Sequence, residues 1–153
     1  MTPEQQVQAV FETMANVLAE NMRLELSYLG QECVNNARDR GEADSWKDRT
    51  GNLRSSIGFA FYQEGEKIVE SAFNQVGADP TGSKKGKSFV EDLARELSST
   101  YALVIVAGMD YAEYVETKRD VLASTELYAR TKINETVQRA INSTIAKINN
   151  MFR

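Results

Sequence analysis

The chain has 153 residues, 42% hydrophobic and 26% charged, with a net charge of −4, which is enough to bury about two-thirds of its unfolded surface in one domain and leaves no room for a second. It has no histidine and one cysteine, Cys33, which excludes imidazole-activated nucleophiles, histidine-bound zinc, an internal disulfide and any site built on several thiolates. No apolar run approaches the roughly 20 residues of a membrane span, and Met1-Thr2-Pro3-Glu4-Gln5 lacks the basic and apolar regions of a signal peptide, so the expectation is a cytoplasmic protein with no membrane partner.

The first element is written plainly. Thr2 is an N-cap, Pro3 suits the first helical position, and Gln5 completes a capping box. Val7, Val10, Phe11, Met14, Val17, Leu18, Met22, Leu26, Leu29 and Cys33 then recur at intervals of three or four, the signature of one helical face. Arg38 and Arg40 stand where a last turn favours cations and Gly41 suits a left-handed cap, predicting a helix over 3–40. Such a helix outreaches the core of so short a chain, so part of its stripe needs a further partner. Cys33 falls in the stripe as a small buried hydrophobe.

After a loop over 42–51, Leu53, Ile57, Phe59 and Phe61 alternate, predicting a strand with one buried face, with room for a helical turn before it. Gln63-Glu64-Gly65-Glu66 is a turn, and Lys67 to Phe73 is the antiparallel return. The segment 74–87, with its glycines, lysines and Pro80, reads as a flexible loop. Ser88 and Glu91 form a second capping box, which opens a short helix reaching about Ser99. Tyr101 to Ala107 is continuously apolar and β-branched, the composition of a central strand. Tyr111 to Thr117 is short and helical or extended, and the stripe Ile133, Val137, Ala140, Ile141, Ile145, Ile148 and Phe152 marks a closing helix within 118–153.

The charge is unevenly spread. Residues 1–40 carry 3 basic and 6 acidic side chains, whereas residues 118–153 carry 7 basic and 3 acidic ones. Pairing of the two long helices, within one subunit or between subunits, is therefore electrostatically favoured.

Two stretches evoke chemistry. Gly82-Ser83-Lys84-Lys85-Gly86-Lys87-Ser88 ends like a phosphate-cradling loop, but Thr81 occupies the place of the required first glycine. Lys84, Lys85 and Lys87 otherwise read as a solvated cluster, or as contacts to an acidic neighbour or to DNA phosphates. Asp110, Glu113 and Glu116, three apart, would share a helical face, yet nothing in the sequence converges on them. No catalytic, cofactor-binding or metal-binding residue is assigned.

Two segments carry a resemblance. Asp48-Arg49-Thr50-Gly51-Asn52-Leu53-Arg54-Ser55-Ser56-Ile57 and Val106-Ala107-Gly108-Met109-Asp110-Tyr111-Ala112-Glu113-Tyr114-Val115-Glu116 are similar to the Thr-Gly-x-Leu-Arg-x-Ser-Ile and Tyr-Ala-x-Tyr-Val-Glu signature of the gene-product-ten family of Hong Kong ninety-seven-type tailed phages. The matching positions are Thr50, Gly51, Leu53, Arg54, Ser56 and Ile57, then Tyr111, Ala112, Tyr114, Val115 and Glu116. The chain departs from the pattern after Glu116, where Thr117-Lys118-Arg119-Asp120-Val121-Leu122 replaces a Gly-Thr and a later Pro-Phe-Leu. The resemblance implies a neck, head-tail joining or tail-completion protein: a homo-oligomeric ring in the virion, assembled in the bacterial cytoplasm against connector or head-closure and tail proteins, with non-specific DNA contact in its channel. Arg54 is expected to pair with Glu116 or Glu113 and so link the motifs.

The expected fold is α+β, a single domain over 1–153. An antiparallel sheet of three to four strands within 50–107 packs with a long N-terminal helix over 1–41 and a long C-terminal helix. A phosphate- or nucleotide-binding protein using Gly82–Ser88, and a host helical adaptor dimerising through its long helices, are the alternative readings.

Overall fold

The computed structural model describes residues 1–40 and 49–153, the Lys118 side chain apart. The expected cap at Gly41, the loop from Glu42 and the motif residue Asp48 lie outside the described residues. The architecture is α+β: among the described residues, five helices surround a three-stranded antiparallel sheet of order β2-β1-β3.

Helix α1 (Pro3–Arg38) begins as its sequence dictates: Gln5 N–H donates to Thr2 Oγ1 at 3.1 Å, and Thr2 N–H donates to Gln5 Oε1 at 2.9 Å. Its 36 residues span about 54 Å. Met22, Leu26, Leu29, Cys33, Val34 and Ala37 are buried, whereas the same stripe from Val7 to Met14 is exposed. No described helix is long and apolar enough to cross a membrane.

A single helical turn, α2 (Asn52–Ser55), leads into β1 (Ile57–Gln63). The predicted strand over Leu53–Phe61 thus starts four residues late, and both faces of β1 are buried rather than one. Ile57, Phe59 and Phe61 face clusters built with α1, while Ala60 and Tyr62 join Phe73, Val90 and Val106 on the other side. Three bulky side chains face α1, whereas the other face mixes small and large: a Cβ at Gly58 would stand 2.4 Å from the Phe73 ring, which fills that space, and Tyr62 packs beyond Ala60.

Glu64 and Gly65 both take positive φ, 52° and 83°, the geometry of a tight hairpin turn, and β2 (Glu66–Glu70) returns along β1 with a bulge between Phe61 and Tyr62. On the other side β3 (Tyr101–Ala107) pairs in register from Ile57↔Ala107 to Gln63↔Tyr101. The strand predicted to be central is therefore at an edge. Its apolar run reflects cover from α1 and α3 on its two faces, and β1 holds the centre.

The segment predicted as a flexible loop is half helix. Helix α3 (Thr81–Ala94) starts seven residues before the expected capping box and ends before Ser99. Glycines mislead here because their use is steric. A Cβ at Gly82 would stand 2.1 Å from the Asn52 carbonyl oxygen, and one at Gly86 would stand 2.5 Å from the Phe73 ring and 2.7 Å from the Ser56 carbonyl oxygen. Buried contact with the sheet and α2 outweighs the poor helix propensity of glycine, about 1 kcal/mol per residue.

Helix α4 (Ala112–Lys118) takes the helical option at Tyr111–Thr117, and α5 (Ala123–Met151) starts later than the predicted residue 118. Helices α1 and α5 pack antiparallel. Asn21 Nδ2 donates to Thr144 Oγ1 at 3.0 Å, Arg139 pairs with Glu25 at 3.1 Å, and Tyr128 O–H donates to Glu32 at 2.5 Å. The charge asymmetry of the two ends is thus partly spent inside one subunit.

Candidate functional site

The two motif segments meet at one end of the sheet. Ile57 pairs with Ala107, and Gly108 N–H donates to the Ser56 carbonyl at 3.1 Å. Leu53, Ile57 and Ala112 share one buried cluster, against which Val115 packs.

Within the first segment each side chain sets backbone. Thr50 Oγ1 accepts from Asn52 N–H at 3.2 Å. Gly51 turns the chain at φ 79°, and a Cβ there would stand 2.0 Å from the Val76 carbonyl oxygen. Ser55 O–H donates to the Gly51 carbonyl at 2.7 Å and Ser55 Oγ accepts from Val76 N–H at 2.7 Å, while Ser56 O–H donates to the Leu53 carbonyl at 2.7 Å.

Asn52, outside the matched positions, is the hinge to α3. Its amide donates to Asp79 Oδ2 at 2.9 Å, and its Oδ1 accepts from Gly82 N–H at 3.0 Å. Asp79 Oδ1 accepts from both N–H and O–H of Thr81, at 2.9 and 2.6 Å. These bonds, from the Thr81 hydroxyl first and then the Asn52 amide, stabilise the carboxylate and hold Asp79 down at about 2.

In the second segment Glu116 is a helix cap. Its carboxylate accepts from the N–H groups of Val121 and Leu122, both at 2.7 Å, and of Ala123 at 3.0 Å. Those of Leu122 and Ala123 are donors that the start of α5 leaves unpaired within the helix, and that of Val121 lies just before it. The expected ion pair is not found among the described residues: Arg54 donates to the Arg40 carbonyl at 3.1 Å, and the Glu116 carboxylate is taken up by backbone N–H groups. Arg54 lies on α2, not on an outer strand face, while the Glu116 carboxylate is turned to the backbone at the start of α5.

Arg40, read from the sequence only as a last-turn cation, clamps α1 to α5. One terminal nitrogen lies 2.8 Å from Asp120 Oδ1 and 2.7 Å from the Val121 carbonyl, and the other lies 2.5 Å from Thr125 Oγ1 and 3.0 Å from Asn36 Oδ1. Burial alone would raise Asp120, but bonds from Ser124 and the Arg40 guanidinium together hold it below its usual range. No sequence spacing joins residues eighty apart. The Asn52–Asp79 link is equally non-local, although Asp79-Pro80-Thr81 is a legible helix-start signal.

The remaining candidates disperse. Asp110 pairs with Lys85 at 2.6 Å, Glu113 is exposed, and Glu116 turns to α5. Among the described residues no group of three or more acidic or cysteine side chains is placed to hold a metal ion. Lys84 and Lys87 are exposed on α3. Residues 82–88 lie inside a helix, so most of their N–H groups are spent on its own carbonyls and do not form the backbone cradle a phosphate requires. Cys33 is fully buried, and burial pushes its thiol up to about 11, away from nucleophilic use. Tyr111 and Tyr114 of the motif are instead exposed, at 41% and 65%, with Phe89 of α3 also exposed at 41%.

No family model, curated protein or solved structure matches the chain.

Proposed function

We propose that the chain is a structural, non-enzymatic subunit of a tailed double-stranded DNA phage or prophage: a neck, head-tail joining or tail-completion component acting as a ring of identical copies between connector or head-closure proteins and tail proteins. The observation that supports this most is the convergence of two segments fifty residues apart, each similar to one half of a phage-family signature, on a single junction. There Gly51, Ser56 and Glu116 shape backbone while Tyr111 and Tyr114 are presented outward. A surface of exposed aromatics on a rigid framework suits recognition between proteins. Rings need heterologous contacts, with different patches on the two sides of a subunit.

Lys84 and Lys87 would meet DNA or an acidic neighbour from α3 rather than from a loop. Two phosphate contacts would give a log–log salt slope of about −1.8. A nucleotide site at 82–88 loses its structural basis in that helix, and an adaptor dimerising through its long helices would have only the surfaces that the α1–α5 pairing leaves uncovered.

Electron microscopy of particles made without the gene tests the reading. Separated full heads and tails are expected, and normal virions would refute it.

A further inference from the structure

Helix α1 runs past the end of its own partner. Counting one for one from the Asn21–Thr144 contact, Met14 stands level with Met151, where α5 ends. The eleven or so residues before it project about 16 Å beyond. This tip continues the stripe that Met22, Leu26 and Leu29 bury, but Val7 and Phe11 are 55% and 62% exposed and belong to none of the apolar clusters of the described residues. Helix α5 has its own uncovered flank, where Ile141, Ile145 and Phe152 recur at helical spacing with Ile145 54% exposed.

Charge decides between the possible pairings. Residues 1–22 carry Glu4, Glu12 and Glu20 and no basic side chain, whereas residues 136–153 carry Arg139, Lys147 and Arg153 and no acidic one. Glu20 is paired with Arg23, and Arg139 with Glu25 and Glu135, inside the subunit. Glu4 and Glu12 on the tip and Lys147 and Arg153 on α5 are therefore the charges that set the choice. Two tips laid side by side would set acid against acid. A tip laid on the α5 flank of another copy brings opposite charges together around two apolar stripes.

We infer that the projecting tip of α1 docks on the exposed flank of α5 in a second copy of this chain. The contact is head-to-tail, so each subunit uses both of its surfaces. This inference rests on the ring reading for its purpose but not for its test.

The test is the mass of the purified full-length chain by light scattering and native mass spectrometry over a concentration series. The wild type is expected to associate, and Phe11→Asp to weaken association at least about tenfold, as loss of an aromatic anchor does, with an unchanged circular dichroism spectrum. Glu4→Lys with Glu12→Lys should weaken it, as should Lys147→Glu with Arg153→Glu, and the chain carrying all four should recover it. A monomer throughout, or a four-fold variant that fails to recover, overturns the tip contact. Tip-to-tip pairing would ignore the α5 changes altogether. That failure differs from failure of the phage reading, which is decided by particles lacking the gene.

Discussion

Gly51 and Asp79 show how little freedom single positions of the motif junction have. At φ 79°, with a carbonyl oxygen 2.0 Å from where a Cβ would sit, Gly51→Ala combines a left-handed backbone cost with a direct clash. A loss of about 2 kcal/mol or more is expected, read from the urea midpoint. Asp79 gives a pH signature. Its carboxyl is held at about 2 in the folded chain and titrates near 3.9 in the unfolded one, so the unfolded state takes up the proton first as pH falls. The stability it contributes is complete above about pH 4 and is lost progressively as pH falls towards 2. Asp79→Asn should flatten that part of the stability–pH curve, whereas an unchanged acid slope would show that the Thr81 and Asn52 bonds leave the carboxyl unperturbed. In the sequence Gly51 is legible as the glycine that closes the loop over 42–51, where a tight turn suits it. Glu116 was hidden as a cap, since the three N–H groups it satisfies begin five residues later, after α4 has ended.

At the scale of elements, α1 and α5 are tied together by the Arg40 clamp. Five acceptor atoms from three separate stretches surround one largely buried guanidinium: the Asn36 side chain on α1, the Asp120 carboxylate and carbonyl and the Val121 carbonyl in the link after α4, and the Thr125 hydroxyl on α5. Hydrogen bonds to a charged group contribute about 1.5–3 kcal/mol, so Arg40→Ala is expected to cost about 2–3 kcal/mol. Arg40→Lys should recover little of it, because one ammonium cannot span acceptors on both sides as the planar fork does. Comparable stability of the Lys variant in chemical denaturation would show that charge alone matters there. Helices α1 and α5 were legible because their stripes run for many turns. Helix α3 was not, because glycine, lysine and proline carry the same local signal whether they form a loop or let a helix lie close against a strand. The exchange of roles between β1 and β3 has a similar origin. Composition reports how much of a strand's surface is covered, and β3 is covered by helices on its faces rather than by strands on both edges.

For the whole molecule, the stripe of α1 divides into a part that folds the chain and a part that the fold leaves over. Leu26 is 3% exposed and Phe11 62% exposed, though both occupy the same face of one unbroken helix. Leu26→Ala should therefore cost about 2–5 kcal/mol through a cavity in the core. Phe11→Ala, measured at protein concentrations low enough to keep the chain monomeric, should leave stability within about 0.5 kcal/mol of wild type. Concentration then separates folding from assembly. Any contact made only by the native state raises apparent stability by mass action, so the wild-type unfolding midpoint should climb with protein concentration and that of Phe11→Ala should climb much less. If both midpoints rise in parallel, the association runs through another face. If Phe11→Ala is destabilised even at dilution, the tip folds back on its own subunit, and the projecting helix is no longer the surface by which copies meet.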